Sequence, residues 1–294
     1  EEFHYETTIA PLGEVYNVVA LKNHADCMVE ELQMTLSQLY EQKPDWFQCE
    51  TAELPIRVNI LDPMDKLSVQ IHPDDAFAKH YNGGRGKPEA WVILDTTEDG
   101  EIQFGHHAKT KEEFMQMTEA NDFVHLLKYL KAVKDGFIDI PSGTLHAIGK
   151  GVLTYNISRN ADCTLRLYDY DRIDPATGKK RDIQPKAVYD NVNIPDTSTT
   201  FVVYPSAYER GIHVTRYWDE PGLYTLLRLQ VEAQGSFKHD RFAFYTCVKG
   251  EGSIQGVPIR QGETMLVPHG MGMLEFKGVM DLFLASYRNE KDEA

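Results

Sequence analysis

The sequence predicts a mainly β protein with two β-barrel or β-sandwich domains and a small helical insertion. Short apolar runs alternate with Gly- and Pro-containing turns over most of the chain, a pattern typical of sandwiches and barrels. Helical signals interrupt this pattern at about residues 105–135. A weak internal repeat relates the two halves, so we place a first domain at residues 1–200 and a smaller second domain at 201–294.

The composition is ordinary for a globular protein and excludes several functions. Of 294 residues, 42% are hydrophobic and 26% are charged. The net charge of −15 argues against nucleic-acid binding but allows a local basic pocket for an anionic small molecule. The four cysteines lack CxxC spacing, which favours reduced thiols in a cytoplasmic protein. We expect no membrane partner, because no apolar run approaches the roughly 18 residues of a membrane span and the first residues, EEFHYETT, are too acidic for a signal peptide.

The first sixty residues combine strands with one short helix. The β-branched run VYNVVAL at 15–21 predicts a strand, and the apolar run at 56–61 predicts another. Between them, Thr35 is a suitable N-cap for a helix that extends to Gln42, and Pro44 ends it.

The helical insertion carries its own start signals. The TKEE sequence at 110–113 is a capping box for one helix, and Asn121 is the predicted cap of a second. The apolar face of that second helix would consist of Phe123, Leu126, Leu127 and Leu130. Three histidines of this region are interpreted as solvated or packing residues: His106, His107 and His125.

After residue 136 the pattern returns to strands, and the second half is built almost entirely from them. Strands are predicted at 137–140, 151–157 and 165–170, followed by a polar turn at 174–180, a helix at 183–192 and a linker at 193–200. The repeat aligns GFIDIPSGTLH, which ends at His146, with GETMLVPHGMGM, which ends at Met273. Met273, a soft ligand, stands where the first copy has His146, and we predict that the second copy binds no metal.

Four polar residues at strand ends in the first half have the chemistry of a metal site. Gln70 and His72 share one face of the strand-like run LSVQIH, Glu89 opens the next apolar run, and His146 closes PSGTLH. Two imidazoles, an amide and one carboxylate would leave Zn²⁺ with a net positive charge, which suits a Lewis acid. Any one of these residues alone is more often a hydrogen-bonded polar group, so the prediction depends on their combination.

The same segments resemble a known family. QIHPDD, GKPEAW and IPSGTLHAIGKG, followed by YNISRNADCTLRLYDYDR, are similar in sequence and order to the type I phosphomannose isomerases (mannose-6-phosphate isomerases), in their short bacterial form. The resemblance covers nearly the whole chain, from Gly13-Glu14 to the C-terminal ETMLVPHGMG. It implies two cupin-like (jelly-roll) β-barrel domains, of which only the first holds metal.

The resemblance also implies a reaction and the residues that perform it. The family interconverts mannose 6-phosphate and fructose 6-phosphate through a cis-enediol, and one Zn²⁺ per chain is expected. The family's ligand positions correspond to Gln70, His72, Glu89 and His146. Lys87 and Arg166 correspond to catalytic positions, Lys87 as a proton shuttle and Arg166 either stabilising developing charge or holding the phosphate. Weaker candidates for substrate or phosphate contacts are Lys79, His80, Arg85, Asn156 and Asp162.

One departure from the family pattern keeps a second function open. Asn156 stands where the family usually carries Glu, and an amide does not accept a proton at neutral pH. The alternative is therefore a catalytically diverged, metal-containing protein that binds a sugar or sugar phosphate. A different cupin chemistry, such as an iron-dependent oxygenase, is disfavoured by the Gln ligand and by the lack of an H-x-D/E motif. A monomer and a homodimer remain equally open.

Overall fold

The computed structural model describes residue 3, residues 12–174 and residues 177–292. The strands up to residue 174 are β1 (Glu14–Val18), β2 (Ala20–Leu21), β3 (Ala25–Asp26), β4 (Met28–Val29), β5 (Met34–Thr35), β6 (Ile56–Leu61), β7 (Val69–Ile71), β8 (Glu89–Thr96), β9 (Glu101–His106), β10 (Leu127–Lys131), β11 (Phe137–Ile140), β12 (His146–Ile148), β13 (Val152–Arg159), β14 (Leu165–Tyr168) and β15 (Ile173–Asp174).

The strands after residue 177 are β16 (Lys179–Lys180), β17 (Ser206–Glu209), β18 (Ile212–Asp219), β19 (Thr225–Val231), β20 (Gln234–Lys238), β21 (Ala243–Ile254), β22 (Val257–Arg260), β23 (Thr264–Val267) and β24 (Met273–Ser286). The helices are α1 (Leu36–Gln42), α2 (Pro44–Phe47), α3 (Asp75–Asn82), α4 (Lys111–Glu119), α5 (Phe123–Leu126) and α6 (Pro185–Asn191), with a 3-10 turn at Glu30–Leu32. None of the helices in these described ranges has the length and apolar character needed to cross a membrane.

Two antiparallel five-stranded sheets form the first half and pack face to face. One sheet has the order β1-β6-β13-β8-β11 and the other β10-β9-β12-β7-β14. Apolar side chains of both sheets meet between them, among them Trp91 and Ile93 from β8 and Phe104 from β9. The predicted mainly β architecture is therefore confirmed.

Further layers cover the outer faces of both sheets. The outward side chains of β7 and β14 pack against α4, α5 and α6, with Phe114 and Val188 buried there. The outward side chains of β6, β8 and β13 belong to a core that also contains Phe244 and Phe283 from the second half. β8 is covered on both faces and contains the continuous apolar run AWVIL. In β13, by contrast, the polar residues Thr154, Asn156 and Ser158 alternate with apolar ones.

The second half is organised around one long strand. Its eight-stranded sheet has the order β17-β18-β19-β24-β21-β22, with β20 also paired to β24 and β23 to β21. The fourteen residues of β24 therefore bind three neighbouring strands. Phe283 of β24 stacks on Tyr155 of β13 with ring centroids 4.4 Å apart, so the two halves share a core.

Several local predictions are confirmed at the level of caps. Thr35 and Gln38 form a complete capping box at the start of α1, and Pro44 both ends α1 and begins α2. Thr110 caps α4 by accepting the Glu113 N–H, but the Glu113 carboxylate accepts from Lys109 and not from Thr110.

The second helix of the insertion is mostly a wrong prediction. α5 ends at Leu126, and the segment from Leu127 continues as β10, which pairs with β9. Asn121 has a positive φ of 54° and terminates the preceding helix, so that it does not cap the next one. The open edge of β9 offers backbone partners to Leu127–Lys131, and these outweigh the modest helical preference of two leucines. The segment at 193–200 lacks regular structure as predicted, but Asn193 ties it to Gly143 and Ser142.

Candidate metal centre and its cavity

Three strands bring the predicted donors to the space between the two sheets. His146 is the first residue of β12 and lies opposite Gln70 of β7 in the ladder. Glu89 is the first residue of β8 in the facing sheet, and His72 directly follows β7. Because these residues stand at strand ends, next to turn residues, their motifs can be recognised in the sequence.

The carboxylate of Glu89 lies between the two imidazoles. Its Oε2 is 3.5 Å from His72 Nε2, and its Oε1 is 3.5 Å from His146 Nε2. One donor atom from each of these residues lies within 4.8 Å of the others, and all three residues are buried. The Trp91 indole donates a hydrogen bond of 3.1 Å to Glu89 Oε1, which fixes the carboxylate from the sheet side.

The hydrogen bonds of the two histidines determine which nitrogen faces the carboxylate as a lone pair. Nδ1 of His72 donates to the Cys163 carbonyl at 2.9 Å, and Nδ1 of His146 donates to the Thr144 carbonyl at 2.8 Å. A neutral imidazole that donates from Nδ1 presents a bare Nε2, which is the arrangement of metal-binding histidines. Burial lowers the pKa of His146 to about 4 and also lowers that of His72, so both rings are neutral near pH 7.

The unpaired atoms of this cluster fit a divalent cation. Neither His72 Nε2 nor His146 Nε2 has a hydrogen-bond partner in the described part of the chain. Buried polar atoms are nearly always paired, so two orphan lone pairs aimed at one buried carboxylate require an explanation. A divalent metal bound by two imidazole nitrogens and a carboxylate oxygen supplies one. Gln70, whose Oε1 accepts from Ser68 at 3.2 Å, lines the same cavity.

Lys87 is the cation closest to this cluster among the contacts described. Its Nζ lies 3.1 Å from Glu89 Oε2, and its side chain is 11% exposed. Burial alone would raise the pKa of Glu89, but Lys87 and the two histidines hold that pKa well below its usual range. Glu89 therefore stays ionised.

The loop that carries Lys87 is fixed by an ion pair. Asp75 Oδ1 accepts hydrogen bonds from Arg159 Nη1 and from the Gly86 N–H, both at 2.7 Å. Gly86 passes so close to the chain that an added Cβ would lie 2.7 Å from the Pro73 carbonyl oxygen. The backbone before Lys87 is thus held against the start of α3.

A cavity of about 270 Å³ opens from the donor cluster and collects most of the predicted site residues. Those that line it are Gln70, Lys87, Glu89, His146, Asn156, Asp162 and Arg166. Lys79 lies on α3 and Arg85 in the loop after it; both are exposed, and neither belongs to the described residues that line the cavity.

Asn156 occupies the middle of one cavity wall. In β13 it lies between Asn59 of β6 and Trp91 of β8, and it is 2% exposed. Its Nδ2 has no hydrogen-bond partner within the described ranges. The wall therefore offers an amide donor at the position where the sequence resemblance implies a carboxylate.

Arg166 lies on the opposite sheet, in β14, directly across the ladder from Gln70. Its Nε is buried and has no partner among the residues described. Arg181 lines the same cavity. Burial lowers the pKa of Arg166, and the positive charge of Arg181 lowers it further.

Three charged residues of the cavity were missed by sequence reasoning. Arg57, Arg181 and Glu14 all line it. Arg57 had a detectable signal, because IRVNIL places two polar residues on one face of an apolar strand, and its Nε donates to Asn59 at 3.2 Å. Arg181 follows a polar turn and gave no local signal.

Two sequence relatives align with the chain over almost its full length. The mannose-6-phosphate isomerase ManA of Bacillus subtilis is 34% identical over 293 residues, which cover 97% of this chain and 92% of that protein. The mannose-6-phosphate isomerase of Streptococcus mutans is 32% identical over 300 residues, covering 99% and 93%. No protein-family model matches the chain.

Solved structures agree with these alignments. The crystal structure of the mannose 6-phosphate isomerase from Bacillus subtilis matches with a TM-score of 0.91 and 26% identity over 97% of this chain and 92% of that one. A zinc-bound mannose 6-phosphate isomerase has the same fold, with a TM-score of 0.72 and 13% identity over 95% and 91% of the two chains.

The fold and the buried His-Glu-His cluster define a cupin-fold protein of the sugar-phosphate isomerase class. Identity above 30% over nearly the full length narrows this class to one family. The chain belongs to the type I mannose-6-phosphate isomerase family. The family, the enzyme class and the cupin-like fold predicted from the sequence are confirmed.

Proposed function

We propose that the protein is a zinc-dependent aldose–ketose isomerase that interconverts mannose 6-phosphate and fructose 6-phosphate through a cis-enediol. The observation that carries the proposal is the buried Glu89 carboxylate, which faces two unpartnered imidazole Nε2 atoms and one lysine Nζ at the end of a polar cavity. The substrates named for the two sequence relatives agree with it.

Gln70, His72, Glu89 and His146 would hold one Zn²⁺ per chain. The two imidazoles are already neutral and oriented by backbone carbonyls, so no proton has to leave them when metal binds. A bound Zn²⁺ would supply a Lewis-acid charge beside the oxygens on C1 and C2 of the sugar.

Lys87 is our assignment for the group that moves the proton. To act as the base, Nζ first releases to solvent the proton that it holds beside Glu89. In the aldose-to-ketose direction, Nζ then accepts the proton from C2 while a solvent water gives a proton to the oxygen on C1, which forms the cis-enediol. Nζ returns its proton to C1, and the hydroxyl on C2 gives its proton to the hydroxide left by that water, which yields the ketose. The 3.1 Å contact with Glu89 keeps Nζ at the donor cluster, where both carbons would lie.

Arg166 supplies a fixed positive charge on the sheet that carries Gln70 and His146. Its guanidinium group remains protonated throughout and can hold an anionic group of the substrate, or stabilise charge that develops during the proton transfer. The Nε of Arg166 is buried and has no partner among the described residues, which supports a role as hydrogen-bond donor to a bound ligand.

A second candidate function follows from Asn156. If the family's carboxylate is needed for proton transfer, the amide at this position leaves a protein that binds metal and sugar phosphate without turnover. Its unpartnered Nδ2 would then donate a hydrogen bond to the bound sugar.

The test is a coupled assay of mannose 6-phosphate conversion with protein as purified, stripped of metal, and reloaded with zinc. Turnover that disappears on stripping and returns with one zinc per chain supports the isomerase. A folded, zinc-loaded protein without turnover that is nevertheless stabilised against heat by mannose 6-phosphate supports the binder. Full turnover of the stripped protein would contradict both.

A further inference from the structure

The cavity wall next to Arg166 contains a second arginine that is held rigidly from behind. Arg181 lines the cavity. Its Nε donates to Asp169 Oδ2 at 2.9 Å, and its Nη2 donates to Asp169 Oδ1 at 2.7 Å. A two-point contact of this kind fixes the plane of the guanidinium group as well as its position.

Asp169 is buried, and its surroundings keep it charged. It is 5% exposed, and it also accepts hydrogen bonds from Arg172. Burial alone would raise its pKa, but the contacts with Arg181 and Arg172 lower that pKa below its usual value. Burying an unpaired carboxylate costs free energy, so Asp169 is stable in this position because it is paired with Arg181 and Arg172.

The backbone that carries Arg181 is bound to the strand that carries Arg166. The Arg166 N–H donates to Gln184 Oε1 at 3.0 Å, and the Gln184 N–H donates to the Arg166 carbonyl at 2.7 Å. The hairpin of β15 and β16 returns the chain to this edge just before Arg181. The two arginines therefore stand on neighbouring backbone segments, each with little freedom to move.

Two guanidinium groups that line one cavity repel each other unless negative charge lies close to them. Asp169 and the exposed Asp162 are the acidic groups that act on Arg166, and Asp169 is shared with Arg181 and Arg172. Arg172 also lies 3.8 Å from Asp65. Arg166 and Arg181 line the same cavity, and the buried Nε of Arg166 has no partner among the described residues. A phosphate dianion matches the charge and the fork geometry of such guanidinium donors.

The position of the pair also fits the proposed substrate. β14, which carries Arg166, is adjacent to β7, which carries Gln70. The segment that follows Arg181 is hydrogen-bonded to β14 through Gln184, on the side away from β7. Neighbouring strands lie about 4.8 Å apart, so the two arginines stand one to two spacings from the donor cluster. That separation is of the order of the length of a hexose phosphate, with its reacting carbons at the metal end.

We propose that Arg166 and Arg181 together bind the phosphate group of the substrate, and that buried Asp169 is the positioning residue that holds Arg181 in place. The proposal rests on the proposed function for the identity of the sugar, but the phosphate subsite can be tested without turnover. Lys79 and Arg85 are not part of this subsite.

The experiment compares zinc-loaded wild type with Arg181→Gln and Asp169→Asn. In the conversion of mannose 6-phosphate, each substitution should raise KM about tenfold or more and change kcat by less than about threefold, because the phosphate is remote from the reacting carbons. The inhibition constant of inorganic phosphate should rise in parallel. Asp171→Asn is the matched control, since Asp171 lies in the same turn but pairs with exposed Lys180, and its kinetics should equal wild type.

The possible outcomes separate this proposal from the proposed reaction. Active wild type whose KM and phosphate inhibition are unchanged by both substitutions would overturn the clamp, and so would a fall in kcat at constant KM. If Asp169→Asn does not fold, Arg181→Gln decides alone. If wild type has no turnover, thermal stabilisation by inorganic phosphate replaces kinetics: stabilisation lost in Arg181→Gln supports the clamp, and equal or absent stabilisation in both proteins overturns it.

Discussion

The two Pro-x-Gly-x-x turns of the chain have the same backbone pattern but very different surroundings. Each follows a strand, β11 or β23, and each ends on the first residue of the next strand, His146 or Met273. The aligned glycines Gly143 and Gly270 have nearly equal positive φ values of 84° and 80°. The repeat inferred from the sequence therefore corresponds to a repeated local structure.

The difference lies in what faces the end of each turn. His146 is 1% exposed, and the facing sheet brings Glu89 to its ring. Met273 is 38% exposed, pairs with Lys238 of an outer strand, and has its sulfur 3.3 Å from an Arg210 nitrogen. The turn determines where a strand begins, but a metal site also requires an opposite sheet that supplies donors.

The largest expected effect comes from exchanging the two residues. In His146→Met, the loss of one imidazole should reduce bound zinc well below one per chain and lower kcat by more than about 10³-fold. Metal analysis and the coupled assay measure both, and circular dichroism checks the fold. Met273→His is the control and should neither gain a second zinc nor change activity. A His146→Met protein with full zinc content would contradict this interpretation of the turn.

A smaller but still large loss is expected for Arg166, the cation that lines the cavity next to the first turn. Arg166→Ala should lower kcat/KM by about 10²–10³-fold while one zinc per chain remains bound, because the guanidinium group faces the substrate and not the metal. Arg216→Ala removes an exposed arginine of the C-terminal sheet that pairs with Glu209, and it should leave activity unchanged. A large fall in the melting temperature of Arg166→Ala would instead make Arg166 a structural residue.

The departure at Asn156 gives a prediction of moderate size. Asn156→Glu places a proton acceptor in the centre of the cavity wall and should raise kcat by about two- to tenfold. Some loss of thermal stability should accompany it, since the new carboxylate is buried. Initial rates at saturating substrate measure the effect, and a rate equal to or below wild type would show that the amide does not limit catalysis.

The smallest expected effect concerns the free energy of unfolding. It involves Asp139, which lies on β11 before the first turn and aligns with Leu266 of the second copy. Burial and the nearby Glu220 raise the pKa of Asp139 to about 6. Since the folded protein holds this proton more tightly than the unfolded chain, the ionised group is destabilising, and the penalty grows as pH rises from about 4 through about 6. Asp139→Asn should therefore be more stable than wild type by about 1–3 kcal/mol at pH 7.5, with little difference below pH 4. Denaturant unfolding across this range measures it, and a difference independent of pH would contradict the assignment.

The clustering of His72, Glu89 and His146 and most strands of the first half were predictable because their signals are local. Gln70, His72, Glu89 and His146 stand at strand ends beside Pro and Gly, where a short motif specifies both the turn and the side chain. The start of α1 after Thr35 was predictable for the same reason, since a helix cap is a contact between residues three positions apart.

The features that the sequence did not predict depend on pairing between segments that are far apart in the chain. The leucines at 126–130 fit a helix by spacing, and only the open edge of β9 makes a strand of Leu127–Lys131. Lys79 and Arg85 lie close to the candidate ligands in sequence, but neither is among the described residues that line the cavity, whereas Arg181, which follows the β15–β16 hairpin, is. Sheet order and register determine where these residues lie in the fold, and a short stretch of sequence specifies neither of them.

The core shared by the two halves has a consequence for biosynthesis. All four candidate metal donors precede residue 150, whereas Phe283, which stacks on Tyr155, lies near the end of the chain. A ribosome therefore releases the complete donor set long before the strand that covers the outer face of β6, β8 and β13. We expect the nascent chain to be able to capture its metal while that apolar face is still uncovered, so this interval is when the protein is most exposed to aggregation and most in need of a chaperone.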